Sequence, residues 1–203
     1  MKKVAWLDIG ANNGNDSVNV AINNPHLSVY GFEPTPEMYS QIEERTKNID
    51  NYTVVRKAVS DFEGTAVFNV AGQSDWGCSS LLEFSDKSKT EWPGRTDFKV
   101  TKQINVDVIR MDKFIEENEI DVIEYVHIDT QGSDLKVLKG FGDKISIIKG
   151  GVMEAAGKNN ILYNDQNGED ESVQFLIESG FTVNGIVDND AHRNEVNIHF
   201  TRN

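Results

Sequence analysis

The segment Leu7-Asp8-Ile9-Gly10-Ala11-Asn12-Asn13-Gly14 concentrates an acid, two glycines and two amides in one short stretch. An apolar strand that ends at Ile9, turns and starts a helix leaves free N–H groups at the helix start, and these can hold a carboxylate or phosphate. Gly10 and Gly14 let the backbone turn sharply and approach a ligand closely. The spacing D-x-G-x-x-x-G is not the dinucleotide fingerprint G-x-G-x-x-G, because Asn12 stands where the second glycine belongs. A smaller anion, such as an amino-acid carboxylate, suits this turn better than a pyrophosphate. Asn12, Asn13, Asn15 and Ser17 add short polar side chains at the same helix start, and Asp8 can pair with a cationic amino group. A second signal follows in Gly31-Phe32-Glu33-Pro34. An acid at the end of the second strand can accept both hydroxyls of a ribose. Glycine turn and acidic strand end, in that order, point to an adenosine-containing cofactor. S-adenosylmethionine and a nicotinamide dinucleotide share that geometry; the absent second glycine favours the former.

These residues need a particular scaffold. Val4 to Ile9 reads as a buried strand, and Val18, Ala21 and Ile22 recur at helical spacing before Asn24 and Pro25 end the helix. Leu27 to Phe32 is a second strand. Thr35 can cap a helix with Pro36 at its first position, and Met38 and Ile42 on its inner face. Tyr52 to Val59 is a third strand. Alternating strands and helices specify a parallel sheet, and right-handed crossovers place the first strand centrally. Further strands are expected at Ala66 to Val70, Ile104 to Ile109, Val122 to Ile128 and Ile145 to Met153. Asp112 can cap a short helix, a helix through Leu135 and Leu138 stops at Gly140, and a last one through Val173, Leu176 and Ile177 stops at Gly180. Phe181 to Val187 and Val196 to Thr201 read as a closing antiparallel pair. The stretches 71–101 and 156–170 are polar and lack a period, which marks functional loops.

The chain has 203 residues, enough for one domain, taken as 1–203. No apolar run approaches the roughly 20 residues of a membrane helix, and Asp8 and Gly10 interrupt the only stretch resembling a signal peptide. Acidic residues outnumber basic ones by 33 to 20 with no dense Lys/Arg run, so nucleic acid and anionic membranes are poor partners. Cys78 is the only cysteine, which precludes an internal disulfide and suits the cytoplasm.

The segments LDIGANNGNDS, YGFEPTPEMY, KAVSDFEGTAVF, GCSSL, VDVIRMDKF, VHIDTQGSDLKVLKG and GGVMEAA stand in the order found in FkbM-type methyltransferases, and residues 4 to 157 resemble that family. The resemblance implies an α/β, Rossmann-like class I methyltransferase fold: a mostly parallel seven-stranded sheet with an antiparallel last strand and helices on both faces. It also implies methyl transfer from S-adenosylmethionine to an oxygen of a sugar or secondary metabolite. Carried over, Asp8, Gly10, Asn12 and Gly14 would hold the methionine part, with Ala11, Asn13, Ser17 and Thr130 as further cofactor contacts. Glu33 and Pro34 would meet the ribose, and Ala58, Val59 and Asp61 the adenine. Ser79 and Ser80 match the family's serine pair and would contact the acceptor. The first strand begins within a few residues of Met1, without the preceding helices that often cover such sites. That departure leaves two expectations: a domain cut from a longer glycan-modifying protein, or a lid made by 71–101.

Asp129 ends the fourth central strand, where ligands bind in open α/β sheets. A carboxylate there can act as general base toward a hydroxyl, with His127 two residues earlier as a second candidate. Glu154 ends the next strand; with Asp129 it could hold a divalent cation such as Mg²⁺, or grip sugar hydroxyls directly. Gln131 lies near the acceptor, and Trp76 and Trp92 could offer flat faces to a sugar ring. Asn159, Asn160, Tyr163, Asn164 and Asp165 read as a solvated loop. The leading expectation is an O-methyltransferase for a sugar or glycan hydroxyl. The alternatives are a polyketide or other small-metabolite acceptor, a non-catalytic nucleotide-binding module, and, less favoured, a nicotinamide-dependent oxidoreductase.

Overall fold

The computed structural model describes residues 2–72, 76–92, 94–95, 98–157 and 161–202. The side chain of Trp76 and the whole of Asn159 and Asn160 lie outside the described residues. The strands are β1 (Val4–Ile9), β2 (Ser28–Phe32), β3 (Tyr52–Val55), β4 (Ala58–Val59), β5 (Gly64–Ala71), β6 (Val100–Ile109), β7 (Val122–Ile128), β8 (Gly150–Ala156), β9 (Thr182–Asp188) and β10 (Glu195–Thr201). The helices are α1 (Val18–Asn23), α2 (Pro36–Thr46), α3 (Ser88–Glu91), α4 (Met111–Glu117), α5 (Asp134–Lys139) and α6 (Glu169–Glu178).

Seven strands form one sheet in the order β3-β2-β1-β7-β8-β10-β9. The first five pair in parallel, and β10 runs antiparallel to both of its neighbours. β1 is central because its successors cross over to one side and β7 joins from the other. The carboxyl ends of β1 and β7 therefore flank the switch point where an open α/β sheet binds ligands. Alternate β1 residues face opposite layers. Leu7 and Ile9 join Phe32, Phe114, Ile128, Leu135 and Leu176 in the larger core, which packs α4, α5 and α6 against the sheet. Val18, Ala21, Val29 and Ile42 fill the other layer, under α1 and α2. Each large apolar side chain buried there contributes roughly 1.5–3 kcal/mol.

The structure corrects several sequence expectations. The predicted strand Tyr52 to Val59 is split: β3 ends at Val55, and Ala58 and Val59 pair instead with Val108 and Ile109 in a second, three-stranded sheet of order β4-β6-β5. That split turns Ala58 and Val59 toward the cofactor side. The apolar run at Ile145 is not a strand. Residues Gly142–Ile147 form a 3₁₀ turn, and β8 begins at Gly150. Ile22 and Ile177, which share the helical spacing of α1 and α6, are 57% and 53% exposed. Asp112 sits inside the first turn of α4 and pairs with Arg110 at 2.6 Å instead of capping. Thr35 holds the cap position of α2, but its hydroxyl serves Glu33.

Candidate active site

The site is built where β1 and β7 end. Gly10 has φ +89°, and a Cβ there would lie 1.8 Å from the carbonyl oxygen of Asp129. Only glycine lets the two strand ends meet this closely, and the Asp129 N–H then donates to Ile9 O at 2.9 Å. The N–H groups of Gly10 and Ala11 both donate to Phe32 O, at 3.1 and 2.9 Å, which draws the end of β2 into the same turn. Asn12 follows with φ +49°, and its N–H donates to Glu33 Oε2 at 3.0 Å. Glu33 Oε1 accepts from the Thr35 N–H at 2.8 Å and the Thr35 hydroxyl at 2.6 Å. Burial lifts the Glu33 carboxyl to about 7 although its bonds from Thr35 and Asn12 pull the other way; the Asp8 charge adds to the rise.

A groove of about 640 Å³, counted to its open mouth, runs over this turn. Gly10, Asn12, Glu33, Pro34, Ala58, Val59 and Thr130, singled out for the cofactor, line it, together with Ser79, Asp129 and Gln131, which were expected at the acceptor. Ile9, Phe32, Met38, Phe68 and Leu81 give it an apolar floor, with Thr35, Lys57 and Ser133 added to its polar rim; none of these eight was singled out for the site. Their signal was weak because they come from six separate segments. Two side-chain oxygens in this wall, Thr130 Oγ1 and Ser133 Oγ, are buried and have no hydrogen-bond partner among the described residues. Such atoms are costly unless a ligand satisfies them. Apolar floor, acidic end and unpaired hydroxyls together fit an adenosine bearing a polar tail.

Other predicted cofactor residues act one layer below the groove. Asp8 is fully buried; its carboxylate accepts from the Ser17 hydroxyl and pairs with His127 Nδ1 at 2.9 Å. Ser17 also shares a hydrogen bond with the Tyr52 hydroxyl at 2.8 Å. Burial alone would lower His127, but the hydrogen bond and charge of Asp8, with Asp129 and Asp16 nearby, lift it to about 8. His127 is thus a cation bound to Asp8, placed on neither cavity wall. Ala11 packs in the α1 layer, and Gly14 accepts the first bond of α1 through its carbonyl. The Asn13 side chain accepts from the Asn15 N–H at 3.1 Å, and Asp61 is exposed outside the groove.

Behind Asp129 lies a second, polar cavity of about 470 Å³. Gly77, Asp129 and Gln131 line both spaces, so they form the wall between them. Glu154, Asn189, Glu195 and Arg95 line the second cavity, with Phe98 and Leu162 as its apolar part. The Gln131 amide donates to Asp129 Oδ1 at 2.7 Å and to Glu154 Oε2 at 3.2 Å. Asn189 donates to the other Glu154 oxygen at 2.7 Å. Burial raises the Asp129 carboxyl against the Gln131 bond and the His127 charge. Burial and the charges of Asp129, Glu195 and Asp134 raise Glu154 well above its usual range. Glu195 reaches about 7 through burial and the nearby acids, with Arg95 opposing. The position expected for a divalent cation, between Asp129 and Glu154, is spanned by the Gln131 amide. Among the described residues, no group of three or more His, Cys, Asp or Glu is arranged to hold a metal ion.

From the stretch 71–101, Gly77, Ser79 and Leu81 line the groove, and Gly77, Cys78, Arg95 and Phe98 line the second cavity. Ser79 Oγ accepts from the Ala71 N–H at 3.1 Å. Ser80 is buried and donates to the Gln131 carbonyl at 2.7 Å, which ties the stretch to the turn after β7 rather than presenting its hydroxyl to a ligand. Trp92 is buried with Leu162 and Tyr163, anchoring the stretch instead of offering a face to the solvent.

The methyltransferase FkbM domain model matches residues 8–183 of the sequence. The chain belongs to this family of S-adenosylmethionine-dependent methyltransferases. It is 25% identical over 138 residues to the 2-O-methyltransferase NoeI of Sinorhizobium fredii (strain NBRC 101917 / NGR234), covering 66% of this chain and 56% of the relative. The chain thus matches a little over half the length of that curated relative. Aeropyrum pernix fibrillarin with natively bound S-adenosyl-L-methionine is similar in structure at a TM-score of 0.52 and 9% identity, covering 98% of this chain and 66% of fibrillarin. TrmK of M. capricolum with S-adenosyl-homocysteine gives a TM-score of 0.51 at 10% identity, covering 100% of this chain and 64% of TrmK. At such identities these likenesses establish the fold, that of class I methyltransferases. Among the described residues no helix is long and apolar enough to cross a membrane.

Proposed function

We propose that this methyltransferase acts on a hydroxyl of a sugar or glycan, with the groove over β1 and β2 as cofactor site and the second cavity as acceptor site. The observation that carries the reading is Asp129, whose carboxylate stands in the wall between the two spaces. S-adenosylmethionine, when bound, supplies an electrophilic methyl on a positively charged sulfur. Glu33 accepts the ribose hydroxyls, the Asn12 turn holds the polar tail, and Ala58 and Val59 flank the adenine. Asp129 accepts the proton of the acceptor hydroxyl as the oxygen gains its methyl, and the Gln131 amide holds that carboxylate in place. The polar lining at Gln131, Glu154, Asn189 and Glu195 favours a polyhydroxylated acceptor over an apolar polyketide. The name of the 2-O-methyltransferase relative supports an oxygen acceptor. We place the reaction within a single domain in the cytoplasm, in keeping with the lone, buried Cys78.

Asp129→Asn tests the assignment. Turnover on a panel of common and deoxy hexoses, read by mass spectrometry, is expected to fall about 100-fold or more, while S-adenosylhomocysteine affinity stays within about twofold. Near-normal turnover would remove Asp129 from the reaction. A divalent cation between Asp129 and Glu154 would have to displace the Gln131 amide, so turnover is expected to survive a chelator. Loss of turnover that Mg²⁺ restores would instead place a cation there.

A further inference from the structure

Tyr163, read from the sequence as part of a solvated loop, is 1% exposed. Its ring stacks on Phe84 at 5.0 Å and 23° between planes. It also packs on Gly132, where a Cβ would lie 2.9 Å from Tyr163 Cδ2. Its hydroxyl lies 2.9 Å from Gln131 Oε1 and 3.0 Å from the Cys78 carbonyl oxygen. Gln131 itself holds φ +55°, a left-handed conformation that costs energy unless the surroundings enforce it.

A primary amide has one accepting and one donating end. At Gln131 the donating end faces two carboxyl groups, Asp129 and Glu154, and the accepting end faces the one phenol. A flipped amide would set its carbonyl oxygen against the Asp129 carboxylate that its N–H₂ now holds, so the oxygen stays toward the phenol. Burial and the nearby Cys78, Glu195, Glu154 and Asp129 keep the phenol protonated, so it remains a donor.

We propose that Tyr163 is a positioning residue for methyl transfer: by donating to Gln131 Oε1 it locks the amide that holds the Asp129 carboxylate in the wall between the two cavities. This rests on the acceptor-base reading of Asp129 given above. The lock draws on three separate places in the chain, the turn after β7, the loop before α6 and the 76–84 segment.

Tyr163→Phe keeps the ring on Phe84 and Gly132 and removes only the hydroxyl, so the fold is retained. Turnover is expected to fall about tenfold with the KM for S-adenosylmethionine unchanged, as a misaligned base requires. Gln131→Met is expected to lose at least as much. The double variant should be no slower than Gln131→Met alone, because the hydroxyl acts only through the amide. Losses that multiply, or a Tyr163→Phe turnover equal to wild type, would overturn the proposal. A readout free of turnover is hydrogen exchange at the Gln131 side-chain amide, assigned by its disappearance in Gln131→Met. Exchange is expected to quicken about tenfold in Tyr163→Phe; an unchanged rate would show that the phenol holds nothing. If the wild type methylates no hydroxyl, the function reading falls and takes the catalytic role of Tyr163 with it. Amide exchange then still decides whether the lock exists.

Discussion

At the scale of single residues, Glu33 and Gly10 serve the proposed cofactor site in different ways. Glu33 must be ionised to accept two ribose hydroxyls, yet burial holds it at about 7 in the free protein. Below that pH, binding must first release a proton. The affinity for S-adenosylhomocysteine is therefore expected to be about tenfold weaker at pH 6 than at pH 8, as read by titration calorimetry. Glu33→Gln should bind weakly throughout and flatten that pH dependence. Gly10 works through the backbone. Gly10→Ala would force a methyl onto the Asp129 carbonyl at an unfavourable φ, costing about 2–5 kcal/mol in urea unfolding. Gly10 was legible because a turn glycine has one recognisable job, and Glu33 was legible as an acid that closes β2 at the groove. Asp8 was less legible. It was read as a ligand for the cofactor's amine, and its carboxylate instead joins Ser17 to His127. That pairing spans 119 positions, and no local spacing announces it.

At the scale of elements, the strand–turn–helix unit from β1 to α2 followed its sequence pattern closely, since apolar period, Pro36 and Asn24 all agree. The pattern failed where an apolar run serves something other than a strand. Ile145 and Ile147 pack their side chains on the core from a 3₁₀ turn, and only Ile148 bridges to Ile123 of β7. The 71–101 stretch was legible as a segment without a period but not in its anchoring, which depends on contacts with residues far along the chain. Ser80 is one such anchor, donating to the Gln131 carbonyl and accepting from the Leu82 N–H at 3.0 Å. Ser80→Ala is expected to cost about 1–2 kcal/mol of stability in denaturant titration. It should raise the KM for the acceptor and for S-adenosylmethionine together, because Gln131, whose carbonyl it holds, lines both spaces. A rise in only one would mean that the anchor serves a single space.

At the scale of the whole molecule, the sheet gathers acids at one edge. Glu33, Asp134 and Glu195 are each raised to about 7, all first by burial, and His127 is raised to about 8 against its burial, by Asp8. Raised groups bind protons more tightly when folded, so their contribution to stability is present at low pH and is lost as pH rises through these values. The excess of 33 acids over 20 bases acts in the same direction. The melting temperature of the free protein is therefore expected to fall by several degrees from pH 5.5 to pH 8.5. A flat or rising profile would contradict the burial of these carboxyls. Saturating S-adenosylhomocysteine should reduce the fall, because binding is stronger where Glu33 is ionised. The acidity was visible in composition; its concentration at the carboxyl ends of β7, β8 and the start of β10 was not, because strand order alone brings those positions together.

The account stands on two spaces meeting at Asp129, and a crystal structure with S-adenosylhomocysteine tests that most directly. The ribose is expected on Glu33, the adenine between Ala58, Val59 and Phe68, and the sulfur turned toward Asp129 and the second cavity. A ligand whose ribose avoids Glu33, or whose sulfur faces away from Asp129, would contradict it.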